Sequence, residues 1–254
     1  MQLKKLLMYV TVACSLLTGN TLFAQSAPAA KNNIIKFNLT NVALKNYGLQ
    51  YEHIVNHNQS FGIGFGISPN VSLPFKQTLL DQFGGDEDAK RAIETTTFNK
   101  ITVTPEYRFY LGKKGAPTGF YIAPFARYTH MQIEQDYAFT PSNNVPHIAH
   151  VKGQFDGIGG GILLGAQWAL SRSLTLDWFI VGPFAGSMNA KFHGTDDMSD
   201  MNAQDKANLK GDIESVDIPL WKVNATVGNN IVDAKLKGPF YGVRAFGINL
   251  GYRF

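Results

Sequence analysis

Ionisable side chains recur at alternate positions of long runs in which every second residue is apolar. Opposite charges on facing strands can pair, whereas an unpaired buried charge is costly. Carboxylates at this density could also support general acid–base catalysis, but no spacing singles out a catalytic pair. We therefore expect a paired, hydrogen-bonded network, with a gate or a narrow ion path as the alternative. The residues that we assign to it are Lys36, Glu52, Glu106, Arg108, Arg127, Asp177 and Arg253.

Two histidines and a serine are the other candidates for chemistry. His147 and His150 have an i, i+3 spacing, but no carboxylate or third histidine lies close in sequence, so support for a zinc site is weak. Ser142 with His147 would supply the side chains that a lipid-modifying membrane enzyme needs, yet no nucleophile-elbow motif accompanies them. We expect solvated loop histidines, no metal, no cofactor and no enzymatic activity.

Acidic residues also cluster in two segments that we predict to be loops. Asp86-Glu87-Asp88 is one cluster, and Asp196-Asp197 with Asp200 is the other. Neither has the ligand spacing and fixed glycine of a calcium-binding loop. We expect solvated acidic faces, whose one further use would be loose bridging of divalent ions to lipopolysaccharide phosphates.

Strands must position these side chains, because apolar and polar residues alternate with a period of two. A transmembrane strand needs about 9–11 residues, and each run is long enough to cross a bilayer. No run of 18 apolar residues follows the N-terminus, so a membrane-spanning helix is not expected. The eight predicted strands are 33–43, 46–56, 59–73, 95–111, 118–137, 150–169, 173–192 and 239–254.

The alternation assigns one face of each strand to lipid and the other to the lumen. In the third run Phe61, Ile63, Phe65 and Ile67 oppose glycines and Ser68. The fifth and sixth runs are less clean, since two aromatic residues fall on the polar face of the fifth and the polar face of the sixth is rich in glycine. A charge facing lipid near mid-membrane costs about 2–4 kcal/mol for arginine or lysine, so the charged faces should point inward.

The lengths of the connections alternate as well, except at the tight connection near Lys45. Turns at 57–58, 112–117 and 171–172 are short, whereas segments 74–94, 138–149 and 190–238 are long and polar, and part of the last has helix-forming composition. Outer-membrane barrels have short periplasmic turns and longer outer loops. The sequence therefore predicts an all-β fold: an eight-stranded antiparallel transmembrane β-barrel with short periplasmic turns, long outer loops and both ends of the chain on the periplasmic side.

The N-terminus predicts export. Lys4 and Lys5 precede an apolar stretch that ends at Ala24, as in a secretory signal peptide, whereas a lipoprotein cleaved before Cys14 lacks the expected leucine. Cleavage after Ala24 removes two lysines and lowers the net charge from +4 to +2, which gives no support to nucleic-acid binding. We expect residues 1–24 to be the signal peptide, 25–32 a short linker and 33–254 the barrel domain.

The C-terminal strand ends in an aromatic residue that belongs to a wholly apolar face. An aromatic terminal residue fits the girdle of rings at a membrane interface, and the pattern resembles the C-terminal signal that the outer-membrane assembly machinery recognises. The alternative is the ordinary closing strand of a soluble β-domain. The face consists of Phe246, Ile248, Leu250, Tyr252 and Phe254.

Three segments carry a family resemblance: Ile35–Leu39, Tyr47–Glu52 and the final strand. On these residues the mature chain resembles the small OmpA/OmpX-type outer-membrane barrels. More closely it resembles an uncharacterised domain-of-unknown-function family of Gram-negative outer-membrane barrels. The resemblance implies fold and location but no activity, because function must be argued from a site.

These observations predict a monomeric, non-enzymatic barrel of the cell outer membrane with a structural or surface-interaction role. Its expected partners are outer-membrane lipid, lipopolysaccharide and the assembly machinery, and not nucleic acid. Three alternatives stay open: a narrow porin-like channel, a lipid-modifying enzyme, and a soluble lipocalin-like barrel that binds an apolar ligand. The last requires apolar residues inside and polar residues outside, the reverse of the arrangement predicted here.

Overall fold

The computed structural model describes residues 31–73, 76–83, 85, 87–215 and 220–254 of the 254-residue chain. The predicted signal peptide, residues 1–24, and most of the predicted linker lie outside these residues, as does Asp86 of the first acidic cluster.

Nine strands and three α-helices make up the described part of the chain. The strands are β1 Asn33–Asn38, β2 Tyr47–Asn56, β3 Gln59–Ser72, β4 Thr97–Tyr110, β5 Gly119–Phe139, β6 His147–Ala169, β7 Leu174–Thr195, β8 Lys222–Val227 and β9 Ile231–Arg253. The helices are α1 Lys76–Phe83, α2 Glu87–Thr95 and α3 Ala203–Glu214, and a 3-10 helix spans Thr40–Leu44.

Eight of the strands close into an antiparallel ring. Consecutive strands pair from β1 to β7, β7 pairs with β9, and β9 returns to β1, with Ile34 opposite Arg253 and Asn38 opposite Asn249. The short β8 lies outside the ring and pairs only with residues 232–237 of β9. The predicted eight-stranded barrel is therefore confirmed, with one additional strand on its rim.

The two ends of the barrel differ. At one end, here called the turn end, short connections near His57, Gly112 and Ser171 join the strands. At the opposite end, the loop end, lie the 3-10 helix, the three α-helices and β8. The barrel is lopsided because β1 has 6 residues and β5, β6, β7 and β9 have 21 to 23.

The four long strands project past the rest of the barrel at the loop end, because they are longer than the other strands. A transmembrane strand needs only about 9–11 residues, so their loop-end parts exceed what is needed to cross a bilayer. We call residues 130–139, 147–156, 186–195 and 231–239, together with β8 and α3, the loop-end extension. Two of the predicted long loops are wrong here. Segment 138–149 shortens to 140–146 because β5 and β6 continue, and segment 190–238 holds the end of β7, α3, β8 and the first part of β9. The predicted first strand, 33–43, is also too long, since the 3-10 helix begins at Thr40.

We call the part of the barrel between the turn end and the loop-end extension the lower barrel. Its outward-facing residues are mainly apolar, and its inward face carries the buried charges together with some apolar side chains such as Phe125 and Leu163. Phe65 on β3 and Ile162 on β6 are 53% and 56% exposed, whereas Glu52 and Arg108 are completely buried. This is the pattern of a membrane-spanning barrel and the reverse of a soluble one. The soluble lipocalin-like alternative is therefore wrong for this part of the molecule.

Within the described residues, none of the helices combines the length and the hydrophobicity needed to cross a bilayer.

Candidate functional site

The inward faces of β1, β2 and β7 bring a lysine between two carboxylates. Lys36 Nζ lies 2.6 Å from Glu52 Oε2 and 2.8 Å from Asp177 Oδ2, and all three side chains are fully buried. Glu52 also accepts hydrogen bonds from Ser60 Oγ at 2.5 Å and from Tyr110 Oη at 2.6 Å. Such saturation by donors is what a buried carboxylate needs, because its hydration has been lost.

Arg108 extends the cluster across the bore of the barrel. From β4 its guanidinium reaches Glu106 Oε1 at 2.5 Å and Asp177 Oδ2 at 3.0 Å, and it donates to Gln167 Oε1 at 2.8 Å. The Arg108 guanidinium also lies 4.2 Å from the ring centroid of Tyr121. Because Asp177 is on β7 and Gln167 on β6, Arg108 links opposite sides of the ring.

A third cation, Arg244 of β9, balances the charges. Its Nη1 lies 3.0 Å from Glu106 Oε2. Three carboxylates then meet three cations, which we call the lumen network: Lys36, Glu52, Glu106, Arg108, Asp177 and Arg244. A mutually compensated set is the form in which buried charges are tolerated.

Strict alternation does not predict Arg244, because it shares parity with the outward Phe246 and Ile248. The alternation shifts by one residue at Phe246, whose φ is +51°. Gly247 and Arg244 consequently both face the lumen, where Phe179 packs over the Cα of Gly247 and Arg244 contacts Glu106. The sequence carries no glycine or proline at position 246 that would have signalled this irregularity.

Two of the seven residues assigned from sequence lie outside the lumen network. Arg253 is partly buried at the turn end, opposite Ile34. Arg127 faces the lumen on the loop-end side, and its guanidinium lies 5.8 Å from the ring centroid of Phe184. Its Nε is buried without a hydrogen-bond partner among the described residues. The expectation that Arg127 belongs to the paired set is therefore wrong, because none of the described carboxylates forms an ion pair or a hydrogen bond with its guanidinium.

Aromatic rings form the next layer of the lumen. Phe184 makes edge contacts with Phe125 at 6.2 Å and with Phe240 at 5.0 Å between centroids, and Arg244 lies 5.0 Å from the centroid of Phe125. The glycine-rich face of β6 makes room for the rings, since a Cβ on Gly157 would touch Phe240. These contacts explain the aromatic residues that the sequence places on a polar face. A cavity of about 210 Å³ beside Arg127 and Arg244 lies between this layer and the 3-10 helix segment.

The chemical consequence is a closed lumen. An eight-stranded barrel is only just wide enough for its own side chains, and here the side chains of Lys36, Glu52, Arg108 and Asp177 have no solvent exposure. Gln50, Gln167 and Tyr110 fill the remaining space with further hydrogen bonds. These three residues lie at inward positions of the alternation. Their hydrogen-bond partners depend on the shear between strands and are not visible in sequence.

The structure places the histidine and acidic candidates differently from expectation. His147 is not a solvated loop residue: it is the buried first residue of β6, with Nδ1 2.7 Å from Asp196 Oδ2 and Nε2 3.4 Å from Asp200 Oδ1. Ser142 donates to Asp205 Oδ1 at 2.7 Å and is not the partner of His147. The acidic cluster 196–200 thus helps to fix the start of β6, because the turn after β7 returns beside it.

His150 is exposed and contacts Asp136, as expected for a surface histidine. Among the described residues, no group of three or more histidine, cysteine, aspartate or glutamate side chains is arranged to hold a metal ion.

The C-terminal apolar face lies on the outside of the ring. Phe246, Tyr252 and Phe254 are exposed, and the rings of Tyr252 and Phe254 stack at 6.3 Å. The backbones of Phe254 and Asn33 exchange two hydrogen bonds of 2.9 and 3.1 Å, which close the ring at the turn end.

A family model described as "Protein of unknown function (DUF3575)" matches residues 10–220, which is more than half of the chain. The chain belongs to the DUF3575 family. The match includes β1 to β7 and α3, so the strands that supply Lys36, Glu52, Glu106, Arg108 and Asp177 of the lumen network all lie within the family region.

Among solved structures, this DUF3575 protein is similar to CarO of Acinetobacter baumannii, with 11% sequence identity and a TM-score of 0.38. The similarity covers 91% of this chain and 100% of CarO. A search of curated proteins returns no match.

Proposed function

We propose that this DUF3575 protein is a non-conducting, non-enzymatic barrel of the Gram-negative outer membrane. Its role would be to support the envelope and to present the loop-end extension to ligands. The observation that carries the proposal is the lumen network, in which three cations and three carboxylates occupy the bore within a ring of outward apolar residues. A conducting lumen needs a continuous aqueous path, and these buried side chains oppose one.

The location rests on the sequence of both ends of the chain. An N-terminal signal peptide would export it, and the terminal aromatic strand would be recognised by the assembly machinery. The turn end would then face the periplasm, and the loop-end extension would lie outside the cell among lipopolysaccharide. Because the ring is closed by β1 and β9 of the same chain, a monomer is sufficient for the fold.

We expect the purified native protein to give negligible conductance in planar lipid bilayers, because the lumen network leaves no aqueous path. Replacing Arg108 with alanine removes the side chain that spans the bore, and we expect measurable single-channel events from this variant. Arg172→Ala, in the exposed turn that precedes β7, is the matched control and should give conductance as low as that of the native protein. Large, steady currents from the native protein would refute the closed lumen and favour the channel alternative.

Deleting Phe254 should reduce the amount of protein in the outer-membrane fraction several-fold. The deletion removes the terminal ring and its backbone bonds to Asn33, and with them the proposed assembly signal. The readouts are membrane fractionation and the change in gel mobility on heating that folded barrels show. Phe254→Tyr keeps an aromatic ring and should restore normal levels. Equal amounts of the truncated and native proteins in the outer membrane would contradict the assembly role.

A further inference from the structure

The interior of the loop-end extension is apolar, in contrast to the charged lumen below it. The inward residues of β6, β7 and β9 at this level include Val151, Phe192, Val232 and Leu236. The outward residues of the same strands include Lys152, Lys191 and Lys235. In the loop-end extension the apolar side chains therefore face inward and the charged side chains face outward, the reverse of the lower barrel. This is expected for a wall that has water, not lipid, on its outer side.

Helix α3 lies over this apolar interior and leaves a pocket of about 640 Å³, which we call the loop-end pocket. Leu209 and Ile213 of α3 face Tyr137 and Phe139 of β5 across it. Sites for small molecules have volumes of about 300–1,000 Å³ and apolar walls with a few placed polar groups. The loop-end pocket has that size and that character.

The polar group placed in this pocket is a carboxylate. Asp205 is 6% exposed, and its Oδ1 accepts a hydrogen bond of 2.7 Å from Ser142 Oγ. Its Oδ2 is buried and has no hydrogen-bond partner among the described residues. Asp212, about two turns further along the same face of α3, also lines the pocket, whereas none of the described lining residues is a lysine, arginine or histidine.

Helix capping does not account for the free oxygen. Asp205 is the third residue of α3, where a carboxylate often accepts from the backbone N–H of the N-cap residue. Here the N-cap is Asn202, which uses its own side chain to accept from Asp205 N at 2.8 Å. The Asp205 carboxylate instead accepts from Ser142 and lines the pocket, and its Oδ2 is left as an acceptor without a donor among the described residues.

We propose that the loop-end pocket binds a small amphipathic amine. The apolar part of the molecule lies between α3 and the inner faces of β5, β6 and β9, and its ammonium group donates to Asp205 Oδ2. The ammonium group matches both the free acceptor and the surplus of negative charge in the wall, and a charge-assisted hydrogen bond to a buried carboxylate oxygen is strong. The proposal names the chemical class of ligand that the loop-end extension would contact. It rests on the proposed function only for the location of this pocket at the cell surface.

The test is titration calorimetry of the full-length, detergent-purified protein with three probes that share an indole ring: tryptamine, neutral tryptophol and anionic indole-3-propionate. We expect tryptamine to bind about tenfold or more tightly than tryptophol, and indole-3-propionate to bind more weakly than both. In Asp205→Asn, which keeps the shape of the side chain, tryptamine and tryptophol should bind equally. Asp81→Asn, on the exposed side of α1, is the matched control and should behave as the native protein.

A second variant tests the apolar part of the site. Ala149 lines the pocket and is buried, so Ala149→Phe should fill space and weaken tryptamine and tryptophol alike, while heat-dependent gel mobility checks that the barrel has folded. The proposal is overturned if native protein does not bind tryptamine, if it binds the amine and the alcohol equally, or if Asp205→Asn keeps the preference for the amine. Binding in detergent is independent of cellular location and of conductance, so its failure is distinguishable from failure of the proposed function.

Discussion

Replacing Glu52 with alanine should lower the free energy of unfolding by about 3–5 kcal/mol, because removal of one member of a buried ion pair leaves its partner uncompensated. The Glu52 carboxylate forms an ion pair with Lys36 and accepts hydrogen bonds from Ser60 and Tyr110, all within 2.6 Å, and its side chain has no solvent exposure. Its loss leaves two carboxylates against three cations in the lumen network. The measurement is urea unfolding of protein folded in lipid vesicles, followed by tryptophan fluorescence.

Glu134→Ala is the matched control for this effect. Glu134 also forms an ion pair on a strand, with Lys152 at 3.4 Å, but both side chains are more than half exposed. Exposed pairs contribute about 0–1 kcal/mol, so the control should be nearly neutral. If the two alanine variants lose the same stability, the lumen network is hydrated and is not the closed cluster described here.

A double variant separates pairing from packing. Lys36→Met removes the cation that Glu52 shares with Asp177, and combined with Glu52→Gln it removes one charge of each sign. We expect the double variant to be less destabilised than the sum of its two single variants, because each single change leaves a charge unpaired. Additive losses would show that Lys36 and Glu52 do not interact in the folded barrel.

The lower barrel could be predicted from sequence because one physical rule governs it. Lipid outside and charges inside impose alternation on most of its strands, so the inward positions of Lys36, Glu52, Glu106, Arg108 and Asp177 are visible in the residue pattern, whereas that of Arg244 is not. The identity of each partner is not, since it depends on how far successive strands are staggered around the ring. Lys36 and Asp177, for instance, are 141 residues apart in the chain.

The first part of β9, residues 231–238, was predicted to be a loop for a different reason. Residues Ile231 to Lys237 alternate as cleanly as any strand, with Val232, Ala234 and Leu236 on one face. They follow a polar segment with helical composition, and the prediction of a strand rests on an apolar face that contacts lipid. Above the membrane the apolar face is the inner one, so alternation without regard to its direction would have identified this part of β9.

The loop-end pocket needs tertiary information that no local pattern holds. Its walls come from β5, β6, β7, β8 and β9, and its carboxylate comes from α3. Asp205 in sequence is one of several acids in a polar segment. In the fold it is buried, and Ser142 of the loop between β5 and β6 donates to it.

An arginine introduced on the outer face should have different consequences in the lower barrel and in the loop-end extension. Ile162 faces outward on β6 within the apolar band, opposite Pro124 of β5. Ile162→Arg should destabilise the folded protein by about 2–4 kcal/mol, the cost of an arginine facing lipid near the bilayer midplane. Gln132→Arg, at an outward position in the loop-end extension that is also exposed, should be nearly neutral because water already surrounds it.

The difference in unfolding free energy between Ile162→Arg and Gln132→Arg, measured in lipid vesicles, tests most directly the claim that this DUF3575 barrel spans a membrane. The account predicts a loss for Ile162→Arg that exceeds the loss for Gln132→Arg by about 2–4 kcal/mol. Both positions are on the solvent side of a soluble barrel, where the two substitutions would cost the same. Equal, small losses for the two variants would therefore contradict the membrane-spanning fold.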